Sequence, residues 1–320
     1  MTQKAHTNTP TQDKLSDNLG IDVSKRQLDC SFGPQRHRAS EPNAPDGFAR
    51  ISALCRLRPG VRVICEATGG YEKKLVKALG KEGIEVHVVM PLKVRCLAIA
   101  MSILSKTDQI DADKLSMFGE KIDLGKPHAP SEHEQKLRDL VECRRHLGEQ
   151  LVQLAGRREN AGPRLLELLD KQREQTQKHL GKIEKEIEAC IAGNKDSEDK
   201  IERMSRVKGV GRKVAANVLA LMPELGSVSD KTASALAGVA PYPGQSGLVE
   251  KPRHIRGGRH EVRRMLFPSA MSAMRSNPVL KQFNQRLKDK GKPGMVRVVA
   301  VMRKLICLFN QICAEPNFNP

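Results

Sequence analysis

Four carboxylates in this chain are spaced so that they could share a divalent cation. Asp108 and Asp111 stand three residues apart in Lys106-Thr107-Asp108-Gln109-Ile110-Asp111, where a helical pattern begins. Helical residues rotate by about 100° each, so positions three apart return to within roughly 60° of one another. Like charges held that close repel unless a cation lies between them. Asp22, in Leu19-Gly20-Ile21-Asp22-Val23-Ser24, and Glu66, in Val61-Arg62-Val63-Ile64-Cys65-Glu66, sit where apolar strands are predicted. Mg²⁺ or Mn²⁺, hard cations with oxygen ligands, would suit such a set. Two such ions roughly 4 Å apart could activate a water or hydroxyl and stabilise the leaving oxygen of a phosphodiester. The structural alternative makes Asp22 the end of a strand, Glu66 a helix cap and Asp108 the N-cap of the helix carrying Asp111. Asp113 falls on nearly the opposite face from Asp111. Glu72 and Asp29 read as solvated surface acids.

A second constellation lies in Pro241-Tyr242-Pro243-Gly244-Gln245-Ser246-Gly247, predicted to be a loop, and the basic run that follows it: Arg253, Arg256, Arg259, Arg263 and Arg264. A serine hydroxyl is a poor nucleophile unless a base or a strong positive field assists it. Clustered guanidinium groups can supply that field at a phosphodiester. The residues alone equally fit a Ser-Gly turn beside a phosphate-positioning patch, with His254 and His260 as surface histidines. A third candidate is Lys208-Gly209-Val210-Gly211-Arg212, between two helical patterns, which has the form of a helix-hairpin-helix. Its glycines would let a phosphate approach the backbone and the next helix N-terminus. An ordinary helix–helix turn is the plainer reading.

The chain's composition agrees with a polyanionic partner. Lys and Arg number 55 against 37 acids in 320 residues, a formal charge of +18. Fifteen of those cations fall between Lys251 and Lys304, against only Glu261 and Asp289. A concentration of that kind is the footprint of a nucleic-acid surface. No apolar run approaches the roughly 20 residues of a membrane span, and the N-terminal stretch lacks the apolar core of a signal peptide, so a cytoplasmic protein is expected. Eight cysteines with no C-x-x-C pair read as reduced core thiols. Aromatic residues are 3% of the chain, with no Trp, so contact with nucleic acid is expected through Lys, Arg and backbone amides more than through stacking. No phosphate-binding G-x-x-x-x-G-K-[ST] loop is present.

Elements that must position these groups follow from periodicity. Residues 1–17 read as a disordered polar tail. Strands are predicted over 19–23, 27–32, 37–41, 61–65 and 84–89, and helices over 46–57, 71–79, 94–103 and 109–121. That order belongs to an RNase H-like (RuvC-like) α/β domain spanning 18–128. Leucine periodicity over 131–191 predicts a helical hairpin or coiled coil, assigned to 129–195. Residues 196–320 read as a mostly α-helical third domain.

At these residues the chain resembles the transposases of the insertion sequence 110 family, the bridge recombinases. The likeness rests on Gly20-Ile21-Asp22-Val23-Ser24-Lys25, Cys65-Glu66-Ala67-Thr68-Gly69-Gly70-Tyr71-Glu72, Thr107-Asp108 with Ile110-Asp111-Ala112, Gly238-Val239-Ala240-Pro241 with Gln245-Ser246-Gly247, and Gly257-Gly258-Arg259 with Val262-Arg263 and Gly291-Lys292. It extends over about residues 18 to 314. The resemblance implies a D-E-D-D metal site at Asp22, Glu66, Asp108 and Asp111, a coiled coil used in oligomerisation, and a C-terminal domain whose serine, here Ser246, attacks DNA. It further implies donor and target DNA as substrates, a structured guide RNA, dimers joining into a tetramer, and a 5′-phosphoserine intermediate. Two other functions fit the residues: a RuvC-like endonuclease in which Ser246 only positions a phosphate, and a non-catalytic nucleic-acid-binding scaffold.

Overall fold

The computed structural model describes residues 18–33, 37–103, 105, 107–125, 130–246 and 249–318, without the side chains of 244–246 and 249–252. The expected tail over 1–17, Lys106 and Gly247 lie outside the described residues. The chain forms two compact units, Met1–Ala129 and Pro130–Pro320.

In the first unit five strands, β1 (Asn18–Val23), β2 (Gln27–Ser31), β3 (Arg38–Pro42), β4 (Arg62–Glu66) and β5 (Glu85–Val89), form one sheet in the order β3-β2-β1-β4-β5. The β1–β2 and β2–β3 pairs are antiparallel, whereas β4 runs parallel to β1 and β5 to β4. Alternation decides the faces. Leu19, Ile21, Val63 and Cys65 join a core with Phe48, Ile51 and Leu75, supplied by helices α1 (Pro45–Arg56) and α2 (Lys73–Lys81). Ile64 points the other way, into a smaller core with Val94, Leu115 and Phe118. Helices α3 (Pro91–Ala100) and α4 (Asp108–Lys121) supply that side.

Helix α4 lies against β1 with almost no gap. A Cβ on Gly20 would stand 2.0 Å from the Ala112 carbonyl oxygen and 2.5 Å from the Ser116 nitrogen, and one on Gly119 would stand 2.7 Å from Asn18 Oδ1. Ser116 Oγ donates to the Asn18 carbonyl at 2.8 Å. Residues 112 and 116 therefore lie over Gly20, and 119 over Asn18. The helix runs antiparallel to the strand, carrying its first turn toward Asp22. Gly20→Val is expected to destabilise this unit by about 3 kcal/mol, because rigid backbone cannot yield to a branched side chain. An unchanged urea midpoint would contradict the seam.

In the second unit α5 (Glu132–Arg158) and α6 (Pro163–Ala192) form an antiparallel hairpin. Arg158 Nε donates to Asp170 Oδ1 at 2.6 Å near its turn, and His133 meets Cys190 near its open end. A Ser131/Glu134 capping box starts α5. The open end shares its core, through Leu137, Val141, Ile187 and Ile191, with the following helices. These are α7 (Lys195–Ser205), α8 (Arg212–Leu221), α9 (Asp230–Leu236), α10 (His260–Ser276), α11 (Pro278–Asp289) and α12 (Gly294–Ala314). Val301, Leu305, Ile306 and Phe309 of α12 are fully buried at the centre.

Between α9 and α10 the structure corrects the predicted loop. Pro241–Ser246 is a strand, β6, paired antiparallel with β7 (Val249–Ile255). Prolines argue against an interior strand, but a two-stranded ribbon consists only of edges, where a missing N–H can face outward. Pro243 also coincides with a register shift between Tyr242 and Gly244. Among the described residues no helix is long and apolar enough to cross a membrane.

Candidate metal centre and nucleic-acid surface

Sheet register places the carboxylates. Asp22 follows Gly20 by two residues and so shares its face, the one α4 covers. Glu66 follows Ile64 in the same way. Ile21 is level with Cys65 across the parallel pair, so Asp22 and Glu66 stand side by side at the C-terminal ends of neighbouring strands, about 4.8 Å apart. Asp108 and Asp111 lie in the first turn of α4, which descends toward the same end. Asp22, Glu66 and Asp111 are half-buried and Asp108 is exposed.

This crowding registers on Asp22. Burial first, then Asp111, Asp108 and Asp29, raise its pKa from 3.8 to about 6. Among the described residues no group of three or more His, Cys, Asp or Glu closes on one cation-sized point. Like charges near enough to perturb one another have reason to stand apart. An all-oxygen donor set that destabilises its own ionised form is chemically suited to a hard divalent cation. Thr107, not Asp108, caps α4: its Oγ1 accepts from the Ile110 amide at 3.2 Å, which leaves both aspartates clear of capping.

Two acids expected on the solvated surface are buried. Asp29 pairs with Asp22 across β1 and β2, accepting from Gln27 Nε2 at 2.9 Å and from Ser40. Glu72 accepts from Thr68 Oγ1 at 2.7 Å and the Gly70 amide at 2.9 Å. Burial alone would raise its pKa, but these donors outweigh burial and lower it. Glu72 thereby shapes the turn that follows Glu66. The exposed-acid expectation fails for both because the local turn and hairpin supply donors that sequence distance hides. Asp113 is also buried, held by Ser31 and Arg38, and ties α4 to β2 and β3. Lys114 is a residue the sequence reading missed. Its Nζ donates to Asp111 Oδ1 and to the Ser105 carbonyl, both at 2.8 Å. Its three-residue spacing from Asp111 was the available signal.

The second unit separates its basic residues into two groups. Lys208, Arg253 and Arg256 are exposed, as are His254 and His260. Others are engaged within the fold. Arg259 donates to Glu224 Oε2 at 2.7 Å and to the Leu221 carbonyl at 2.8 Å. Arg263 donates to the carbonyls of Gly257 at 2.9 Å and Gly238 at 3.2 Å. A Cβ on Gly258 would stand 2.2 Å from the Gly238 nitrogen. These glycines and arginines thus clamp the base of the ribbon. Arg212 pairs with Glu188 at 3.0 Å and Arg264 with Glu149 at 3.1 Å. Gly209 approaches α10 in place of a phosphate: a Cβ there would stand 2.5 Å from Ala273 Cα. Gly211, the N-cap of α8, stays open. Ser246 ends β6 opposite Val249, and its side chain lies outside the described residues.

The comparisons agree with this arrangement. Residues 19–178 match a transposase family model of the DEDD IS110 type, and residues 201–285 match the Transposase IS116/IS110/IS902 family. A pilin gene-inverting protein of Moraxella lacunata is 26% identical over 300 residues, covering 91% of this chain and 93% of the relative, and the protein of the same name from Moraxella bovis matches equally. The DEDD type carries an RNase H-like fold and dependence on divalent metal. Five strands in the observed order, acids at the ends of the two central parallel strands, and matches spanning both units lead to one assignment: the chain belongs to the IS110 family of transposases and is a DNA-recombining enzyme.

Proposed function

We propose that this enzyme cuts and rejoins DNA through a covalent 5′-phosphoserine on Ser246, at sites selected by a structured RNA. What supports the reading is that Asp22 and Glu66 end neighbouring parallel strands, that Asp108 and Asp111 lie in the first turn of α4, and that Asp22 is raised to about 6 by burial and by its acidic neighbours. Mg²⁺ or Mn²⁺ held there would supply positive charge to a bound phosphodiester. Lys114 holds Asp111 in place at one edge of the set.

In the serine step Oγ attacks phosphorus and the P–O3′ bond breaks. The serine proton ends on the departing oxygen as a free 3′-hydroxyl, and the downstream DNA remains joined to serine through its 5′-phosphate. Rejoining reverses this: a 3′-hydroxyl of the recipient strand attacks phosphorus and the serine oxygen leaves with a proton. Arg253 and Arg256, exposed on and just after the strand paired with β6, supply positive charge along that ribbon. The relatives' name, pilin gene-inverting protein, favours defined rearrangement over indiscriminate cutting.

The test uses protein, DNA flanking its gene and RNA transcribed from that region. Denaturing gels should show a protein adduct that retains 3′-labelled DNA and leaves 5′-labelled DNA free. Cleavage without any adduct would favour a RuvC-like nuclease in which Ser246 only positions a phosphate.

Assembly into dimers, and tetramers during strand exchange, is assigned to α5 and α6. Toward its closed end the hairpin leaves Val152 73%, Leu165 50% and Leu168 56% exposed, more apolar surface than a lone hairpin tip needs. Leu165→Asp with Leu168→Asp is expected to shift the protein to monomer in light scattering. An unchanged mass would place the interface elsewhere.

A further inference from the structure

A groove of about 1140 Å³ opens in the second unit between the base of the ribbon, α10, α11 and α12. It exceeds the about 300–1,000 Å³ of small-molecule sites, which suits a length of polymer better than a metabolite. Phe283, Val299 and Leu308 line it while packing against the core. Val279, Met295 and Val296 line it as well and are 72%, 62% and 47% exposed. Surface apolar residues grouped in this way mark a contact site.

The charge around the groove indicates what it contacts. From Arg275 to Lys304 there are nine Lys and Arg residues and one acid, Asp289, whose carboxylate already accepts from Gln285. Asp230, the acid lining the groove, accepts from Asn310 Nδ2 at 2.8 Å. Arg253, Arg303 and Lys304 are exposed at the lining. Arg286 and Lys304 place their cationic groups 5.5 and 5.1 Å from the centroid of Phe283. Apolar surface and positive charge therefore alternate at short range. Paired bases present mainly phosphates, whereas an unpaired strand presents base faces and phosphates together, and grooves for such strands set aromatic rings beside positive charge. Although aromatics are few in the chain, Phe283 and the 39% exposed Phe267 line this groove.

We infer that this groove holds a single-stranded segment of the DNA substrate, with bases on the apolar floor and phosphates on the cationic rim. Pro241, Arg253 and Ile255 at the ribbon's base line it. At the strand rise, Ser246 lies roughly 17 Å along β6 from Pro241, so a strand leaving the groove can follow the ribbon toward the serine. The assignment of DNA rests on the serine-recombinase reading above. The groove's preference for unpaired bases does not.

The test measures binding of a fluorescent single-stranded DNA 12-mer to the full chain at about 0.3 M salt, where phosphate contacts alone are weak. Val279→Asn, Met295→Gln and Val296→Asn are combined in one variant. These side chains are largely exposed, so the melting curve should match wild type. Stacking of a base on an aromatic ring is worth roughly tenfold per base, and contact with aliphatic side chains adds less. The variant should bind severalfold more weakly, and an abasic 12-mer of equal charge should lose affinity for wild type by about tenfold or more. Equal binding of normal and abasic strands, or an unaffected variant, would overturn the groove. Tighter binding of an RNA 12-mer of the same base sequence would overturn its assignment to DNA. Displacement of the strand only by an acidic amphipathic peptide, with weak DNA binding, would make it a protein-docking surface. Loss of strand binding in the variant alongside an absent wild-type adduct would sink the serine chemistry and leave the groove standing.

Discussion

Asp22→Asn is expected to abolish DNA cleavage and at the same time make the metal-free protein more stable. Asparagine keeps the shape of the side chain but removes the charge that a divalent ion needs, so turnover should fall on the order of 10³-fold. The gain in stability follows from linkage. The folded pKa of Asp22, about 6, lies above its ordinary 3.8, so between those values the native state binds more protons than the unfolded one. Stability therefore falls as pH rises through that window, and the deficit is complete above about pH 6. At pH 7.5 the variant should exceed wild type by on the order of 2 kcal/mol, discounted from the full shift because Asp22 is only half-buried. Below about pH 4 the difference should vanish. Added Mg²⁺ should raise the melting temperature of wild type at pH 7.5 but hardly that of the variant. Equal stability of the two proteins at pH 7.5 without metal would remove the crowding on which the centre rests.

Ser246→Ala should reduce both the adduct and strand joining to background, a loss of about 10⁴-fold or more, because it removes the hydroxyl assigned to the attack. Affinity for DNA should change by less than about threefold, since the substitution removes one small polar group from a broad basic surface. Ser246→Cys separates nucleophile from positioning group. A thiolate can attack phosphorus, so a slow residual adduct is expected, whereas a serine that only orients phosphate would leave cleavage nearly intact in both variants. Retention of cleavage by Ser246→Ala would therefore reassign scission to the carboxylates alone.

Much of the first unit was legible in its residues. The apolar runs at 19–23 and 61–65 appear as the central parallel strands, and each predicted element of 18–121 appears within a few residues. Those signals are local. The second unit was harder because prolines and glycines at 241–247 look the same in a loop and in an isolated ribbon. The carboxylates were legible by type, but the reason α4 lies close over the strand that carries Asp22 lay elsewhere, in Gly20 and the small residues of α4, whose value is the absence of a side chain. Asp29 and Glu72 were misjudged since burial of an acid depends on donors such as Ser40 and Thr68 arriving through tertiary contact. Lys114 was overlooked because a lysine in a helix ordinarily faces solvent.

The internal pairing of Arg212, Arg259, Arg263 and Arg264 also bears on how strongly the enzyme can hold nucleic acid. Each guanidinium already satisfied by a carboxylate or carbonyl releases few ions when a phosphate draws near. The count of 55 Lys and Arg residues therefore overstates the cations free to meet phosphate. With non-specific adhesion limited in this way, the enzyme can let go of the wrong duplex quickly and leave discrimination to contacts made only at its own sites.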